Sequence, residues 1–110
     1  ENYQYATLTD IITKEWSGFK TKEYKQFKGL KKESLRDNMT NLELVLNSLA
    51  EASTTEISKE KDPSGFEESK VVAKEGGEVA KIAREQLEAK IGKSVISHRN
   101  AKDFLQLSDE

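Results

Sequence analysis

The chain has 110 residues, of which 35% are hydrophobic and 35% charged, and its formal net charge is −2. The absence of cysteine excludes disulfides and thiolate metal ligands, and one proline with six glycines provides too few turns for an all-β domain. We therefore expect an all-α single domain of about four to six helices around a long central helix, with no substantial sheet.

The first predicted helix is marked by apolar residues that recur at helical spacing. We expect Thr7 or Thr9 to be its N-cap and Gly18 to end it. Its core-facing residues are Leu8, Ile11, Ile12 and Trp16.

A short second helix is predicted to begin at the N-cap Thr21 and to end before Gly29, with Tyr24 and Phe27 as core anchors. It lies in a basic segment, because residues 20–32 contain six lysines and one glutamate. Lysine attracts phosphates and acidic proteins, so the segment predicts contact with DNA or an acidic partner. The alternative is a solvated face beside two core aromatics. The candidate contact residues are Lys20, Lys22, Lys25, Lys28, Lys31, Lys32 and Arg36.

The third predicted helix, residues 41–61, has the clearest signals, and we expect it at the centre of the fold. Thr40 and Glu43 have the spacing of a capping box, and Pro63 ends the helix. An apolar stripe this long exceeds what one small core covers, so its exposed parts offer a surface for a homo-oligomer. The stripe consists of Leu42, Val45, Leu46, Leu49, Ser53 and Ile57.

Three polar residues of this helix, Thr54, Thr55 and Glu56, are unusual because β-branched threonine is mildly unfavourable in helices. One interpretation is a polar interaction surface or a buried hydrogen-bond network. The other is that both hydroxyls bond only to carbonyl groups of the preceding turn.

Two further helices are predicted at residues 64–75 and 78–91, packed as a hairpin against the third helix. Gly76 and Gly77 separate them, and we expect a sharp turn there because glycine tolerates unusual backbone angles. The less favoured interpretation is an anion site at the start of the following helix. Gly92 is expected to end the last long helix.

The segment after Gly92 is predicted to be extended at Val95 and Ile96, which are β-branched. Asn100 is expected to cap a last turn. The apolar residues of that turn are Phe104, Leu105 and Leu107. A helix-turn-helix around Gly92 is a minority interpretation, because that motif needs a second helix directly after the turn. His98, the only histidine, is expected at the surface.

Three sequence blocks, in this order, carry a family resemblance. They are FKGLKK with LRDNMT (27–32 and 35–40), LEL through LAEA to TTEI (42–57), and Gly76-Gly77 through Asn100. The chain from Trp16 to Asn100 thereby resembles the DNA-damage-inducible protein D family and its phage relatives, in the region C-terminal to their BRO-type or antirepressor-like domain. The resemblance implies a role in the DNA-damage (SOS) response or in prophage regulation. It implies no enzymatic activity and brings no binding residues with it.

The resulting prediction is a cytoplasmic, non-enzymatic regulatory interaction domain over residues 1–110, the C-terminal-type part of a larger protein whose N-terminal domain is absent from this chain. Its expected partner is DNA or a DNA-repair or repressor protein, and it is a candidate homo-oligomer. We expect no cofactor, metal, membrane contact or small-molecule substrate. The alternatives are a structural dimerisation module for the missing DNA-binding domain and a helix-turn-helix-like DNA-binding domain. A metal-dependent hydrolase would need clustered carboxylates, and Glu67-Glu68 and Glu75 with Glu78 lack a nucleophilic companion.

Overall fold

The structure, a computed structural model, describes residues 2–103 and their side chains from residue 3 onward. Its elements are the helices α1 (Asn2–Ser17), α2 (Thr21–Phe27), α3 (Asn41–Lys61) and α4 (Gly65–Ile91), with a short 3-10 turn at Arg36–Asn38. Residues 2–103 contain no strand, so the predicted all-α class is confirmed. The predicted apolar residues of the last turn, Phe104, Leu105 and Leu107, lie outside the described part of the chain.

Helix α1 extends further towards the N-terminus than the sequence predicts. The predicted caps Thr7 and Thr9 lie inside it, and each hydroxyl donates to the carbonyl four residues earlier, at 2.8 and 3.0 Å. The capping prediction is therefore wrong, because a hydroxyl bonded to its own helix no longer caps an end. Gly18 follows the helix with a φ of 89°, as expected of a glycine that ends a helix.

Helix α2 begins one residue earlier than predicted, since Lys20 is its N-cap and Thr21 its first residue. The Lys20 N–H donates to the Glu23 carboxylate at 2.9 Å, which satisfies one of the free donors at the helix start. Tyr24 is fully buried, as predicted. Phe27 is 43% exposed and stacks on a neighbouring phenylalanine, so only one of the two predicted anchors enters the core.

Helix α3 starts with the predicted capping box. The Thr40 hydroxyl accepts the N–H of Glu43 at 3.2 Å, and the Glu43 carboxylate accepts the N–H of Thr40 at 2.8 Å. The helix ends at Lys61, and Asp62 follows in the left-handed region with a φ of 47°. Both predicted ends of this helix are confirmed.

The buried side of α3 is rotated away from the predicted apolar stripe. Leu46 is buried as expected, whereas Leu42, Val45 and Leu49 are exposed. The residues buried in this helix are Glu43, Leu46, Asn47 and Ala50. The packed face of α3 therefore includes polar side chains. Glu43 and Asn47 are buried on it because Lys28 and Trp16 supply their hydrogen bonds, and the small Ala50 allows close contact between helices.

Helix α4 is continuous, so the predicted break at Gly76 and Gly77 is wrong. A Cβ on Gly76 would lie 1.8 Å from the Thr54 hydroxyl oxygen, and one on Gly77 would lie 2.6 Å from the Glu15 Cβ. The two glycines therefore allow α3 and α1 to approach α4 closely on adjacent sides. Each costs about 1 kcal/mol in helix propensity, and this close packing offsets that cost.

Helix α4, rather than α3, is the central helix, because α1 and α3 both pack along it and contact each other little. The buried cluster consists of Trp16, Tyr24, Met39, Leu46, Ala50, Ala80, Val95 and Ile96. The Trp16 indole donates to the Asn47 side chain at 3.1 Å, and Arg84 donates to the Trp16 carbonyl at 2.7 Å. These bonds join α1 to both of the other long helices.

The segment that follows α4 is irregular up to Asn100 and returns to the core through Val95 and Ile96. Gly92 ends α4 with a φ of 75°, as predicted. Asn100 caps the turn at 101–103 by accepting the N–H groups of Lys102 and Asp103, which confirms its predicted role. Residues 93–100 contain no helix, so the second helix required for a helix-turn-helix is missing.

None of the helices within residues 2–103 has the length and apolar character that crossing a membrane requires.

Candidate functional site

Lys28, predicted to contact a partner, is instead buried in the protein with a side chain that is 0% exposed. Its ammonium donates to the Glu43 carboxylate at 2.8 Å and to the carbonyl oxygens of Ser97 at 2.7 Å and Arg99 at 2.6 Å. All three ammonium protons therefore have acceptors, which is the condition for burying a lysine. This residue is not available to DNA or to a partner, so its assignment to the contact surface is wrong.

Glu43 is the centre of this buried cluster. Its carboxylate accepts from the Tyr24 hydroxyl, from the Lys28 ammonium and from the N–H of Ser97 at 3.2 Å, in addition to the capping bond from Thr40. One side chain therefore joins α2, α3 and the C-terminal segment. Burial, followed by the hydrogen bond to Glu43, raises the pKa of the Tyr24 hydroxyl above its ordinary range. The cluster is a structural connection, since its groups are turned inward.

An open cavity of about 690 Å³ lies between α1 and α3, above α4. Its apolar side chains are Leu8, Ile12, Leu35, Met39, Val72 and Ala73, and its polar side chains include Thr54, Thr55, Ser58, Ser34, Arg36 and Glu51. The cavity exists because α1 and α3 both follow α4 without packing closely on each other. Its volume is in the range of small-molecule sites in proteins.

A second cavity, of about 770 Å³, continues from the first between α1 and α2. The two share Tyr5, Thr9 and Thr21 in their walls and therefore adjoin, and we call the pair of cavities the α1–α3 groove. Its second part is lined by Lys22, Lys25 and Lys31 and is here called the lysine end. The groove is therefore apolar at its centre and basic at one end.

The lysine end also contains carboxylates. Asp10 lies in the same wall and accepts the N–H of Thr21 at 3.2 Å. Glu33 accepts the N–H of Lys31 at 2.8 Å, and this bond, with a smaller contribution from Lys25, lowers the pKa of its carboxyl. Three lysines around two carboxylates leave a local excess of one positive charge, which attracts anionic groups at short range and is screened by salt.

The remaining predicted basic residues lie apart from the lysine end. Lys20 and Lys32 are exposed, and neither lines the two cavities. Arg36 lies in the wall of the apolar part, where its guanidinium donates to the Glu51 carboxylate at 3.2 and 3.4 Å. Three of the seven predicted contact residues, Lys22, Lys25 and Lys31, thus lie together, and the other four lie elsewhere in the structure.

The predicted polar surface on α3 is also divided. Thr54 and Thr55 line the groove, and their hydroxyls donate to the carbonyls of Ala50 at 2.9 Å and Glu51 at 3.1 Å. This is the local bonding that the sequence offered as the alternative interpretation. Glu56 lies outside the groove, exposed and paired with a lysine of its own helix.

Sequence reasoning missed the buried cluster although one signal was present. Lys28 is the C-cap of α2 and follows Tyr24 by four residues, so the two side chains lie on the same side of this helix. A fully buried tyrosine thus predicts that this lysine is turned inward as well. No comparable signal identifies Glu43, since its capping role explains its presence, and nothing in the sequence places Ser97 beside it.

His98 is exposed, as predicted, with its ring edge against Phe27 at a centroid distance of 6.4 Å. Within residues 2–103, no group of three or more histidine, aspartate or glutamate side chains is arranged to hold a metal ion. Comparison with protein-family models, curated protein sequences and solved structures returned no match to this chain.

Proposed function

We propose that this chain is a non-enzymatic regulatory interaction domain whose α1–α3 groove binds an acidic, amphipathic segment of a partner protein. The observation that carries the proposal is the juxtaposition of an apolar centre and a basic end within one groove. The apolar centre offers a surface for hydrophobic side chains, and the lysine end offers a partner for carboxylates.

A helical segment fits this chemistry better than an extended one. Docked helices present apolar anchors at every third or fourth residue to a groove formed by other helices. The apolar part of the groove lies over α4 between two helices, and its apolar residues come from α1, from α4 and from the segment before α3, through Leu35 and Met39. A bound helix with acidic residues in one terminal turn would extend that turn over Lys22, Lys25 and Lys31.

A protein partner is favoured over DNA by the composition of the groove. Surfaces that bind DNA usually carry arginine for bidentate phosphate and base contacts. Among residues 2–103, Arg36 is the only arginine that lines this groove, and its guanidinium is paired with the Glu51 carboxylate at 3.2 Å. The apolar centre has no role against a phosphate backbone. The resemblance to the DNA-damage-inducible protein D family supports a setting in the damage response or in prophage regulation, where the partner would be a repair or repressor protein.

The proposal is tested by fluorescence anisotropy with a labelled peptide that carries leucines at i, i+4 and i+7 and glutamates in its last turn. We expect binding to the wild-type chain and a loss of about tenfold or more in affinity for the combined variant Lys22→Glu, Lys25→Glu and Lys31→Glu. The matched control reverses three exposed lysines elsewhere: Lys14, Lys74 and Lys102. A peptide with the same composition and scrambled spacing is expected to bind weakly.

Equal affinity of the groove variant and the control variant would contradict the proposal. A DNA duplex titrated in parallel at low salt separates the two partner classes, since tighter binding of the duplex than of the peptide would favour DNA. The regulatory setting is tested separately, by the amount of the protein in its host cells before and after DNA damage. An unchanged amount would argue against the damage-response setting and leave the groove unaffected.

A further inference from the structure

Residues 104–110, which follow the described part of the chain, have the chemistry that the α1–α3 groove is proposed to recognise. Their sequence is FLQLSDE, with the apolar residues Phe104, Leu105 and Leu107 first and the carboxylates of Asp109 and Glu110 last. The groove has the same order, since its apolar part adjoins an end lined by three lysines. A short amphipathic stretch that is acidic at one end is therefore present in this chain itself.

The last described turn, residues 101–103, is fixed next to a wall of the groove. The Ala101 N–H donates to the Asn38 side-chain oxygen at 2.7 Å, and the Asn38 amide donates to the Ser34 carbonyl at 2.7 Å. Ser34 lines the apolar part of the groove, as do Leu35 and Met39. Two successive hydrogen bonds thus connect the turn that precedes residues 104–110 to the apolar part of the groove.

The length of residues 104–110 is sufficient to cross from this wall to the lysine end. Lys31 of the lysine end is three residues before Ser34, so the Cα atoms of these two residues are at most about 11 Å apart. Seven residues span about 10 Å as a helix and at most about 25 Å when extended. The apolar residues come first in the segment and would meet the apolar part of the groove, and Asp109 and Glu110 would meet the lysine end.

The ammonium groups of the lysine end are available to carboxylates. Within residues 2–103, no carboxylate lies within 4.0 Å of the ammonium of Lys22, Lys25 or Lys31. By contrast, the exposed Lys59 and Lys61 of α3 are each paired with a glutamate. Docking of residues 104–110 therefore brings carboxylates to lysines that no described ion pair occupies, and salt would weaken this attraction.

We infer that residues 104–110 of this chain bind in the α1–α3 groove and occlude it, so that the chain regulates its own binding site. The exclusion of a partner rests on the function proposed above, whereas the docking itself can be measured without a partner. Because the segment is tethered beside the groove, its effective concentration is in the millimolar range, and docking with a dissociation constant below that value fills the groove in most molecules. A partner then binds with an apparent affinity reduced by the fraction of molecules whose groove is open.

Disulfide cross-linking tests the docking directly, because the chain contains no cysteine of its own. Ser108→Cys is combined with Gln26→Cys, at an exposed position in the wall of the lysine end. The control combines Ser108→Cys with Gln86→Cys, at an exposed position on α4 that does not line the groove. Under mild oxidation of dilute protein, we expect an intramolecular disulfide to form about tenfold faster in the first variant than in the control. Equal rates would overturn the inference.

The exclusion of a partner is tested by fluorescence anisotropy with the same labelled peptide. Asp109→Lys with Glu110→Lys releases the segment from the lysine end, and we expect this variant to bind the peptide about tenfold more tightly than the wild-type chain. The control, Glu78→Lys with Glu85→Lys, changes the net charge by the same amount at two exposed positions on α4 and is expected to bind like the wild-type chain. Circular dichroism checks that both variants are folded.

The outcomes separate this inference from the proposed function. Equal peptide affinities of the two charge variants would overturn the inference and leave the proposed function intact. A disulfide that forms rapidly at Gln26→Cys, in a chain whose variants all fail to bind the peptide, would support the docking of residues 104–110 and contradict the proposed function.

Discussion

Replacing Lys28 by methionine is the sharpest test of the buried cluster. Methionine retains most of the volume of the lysine side chain but has no charge and no donor. The variant leaves the Glu43 carboxylate buried without its counter-ion, and it leaves the carbonyls of Ser97 and Arg99 without the bonds that they now accept at 2.7 and 2.6 Å. Both losses act in the folded state only.

The magnitude follows from the burial of both partners, whose side chains are 0% exposed. Removing one member of a buried ion pair costs about 3–5 kcal/mol. Domains of this size have a free energy of unfolding of about 5–15 kcal/mol, so a large part of the total would be lost. For a domain near 100 residues, a loss of about 4 kcal/mol lowers the melting temperature by roughly 15–25 °C.

Urea unfolding followed by circular dichroism measures this loss, with Lys32→Met as the control. Lys32 is exposed, and surface substitutions of this kind change the free energy of unfolding by about 0.5 kcal/mol or less. The double variant Lys28→Met and Glu43→Leu is expected to lose about 2 kcal/mol less than the sum of the two single losses, because the pair is coupled. A loss below about 1 kcal/mol for Lys28→Met, or strictly additive single losses, would refute the reasoning.

Three further predictions concern packing, pH and the link between α1 and α4. Gly76→Ala is expected to lower the free energy of unfolding by about 3 kcal/mol, because the added methyl group overlaps Thr54, although alanine is the better helix former. In the same urea assay, the control Lys74→Ala at an exposed position is expected to change the free energy of unfolding very little. The raised pKa of Tyr24 means that the unfolded chain loses a proton which the folded chain keeps, so stability is full below about pH 10 and falls as the pH rises above it. Thermal melts across this range should show the decline in the wild-type protein and a smaller one in Tyr24→Phe, and equal slopes would contradict the assignment. Arg84→Met loses the hydrogen bond to the Trp16 carbonyl and is expected to lower the free energy of unfolding by about 1–3 kcal/mol. Arg36→Met removes an exposed ion pair and is expected to lower it by less than about 1 kcal/mol. A lower melting temperature for Arg36→Met than for Arg84→Met would contradict this prediction.

The sequence alone determined the helical class and most helix ends. Thr40 with Glu43, Gly18 and Gly92 act through contacts within a few residues, and such contacts are formed by almost any helix that has these residues at its ends. The bounds of α3 were accordingly correct at both ends. The wrong predictions among the local features, at Thr7 and Thr9, arise because a threonine hydroxyl bonds equally well inside a helix.

The tertiary structure decided the features that depend on what lies opposite a residue. Gly76 and Gly77 predict a helix break from the sequence, because glycine is a weak helix former. In the structure they are points of close approach, since α3 lies against Gly76 and α1 against Gly77. The same is true of Lys28. By composition it belongs to a basic surface, and it is buried because the acceptors that satisfy it come from α3 and from residues about seventy positions later.

The candidate surfaces follow the same division. The sequence located the lysines, the threonines of α3 and an apolar stripe that one small core could not cover. Only the position of α2 beside α1 formed the cavity that collects Lys22, Lys25 and Lys31, and only the rotation of α3 exposed Val45. Helix ends are set by hydrogen bonds between near neighbours, whereas grooves and faces are set by how helices far apart in sequence meet, and that information is distributed over the whole chain.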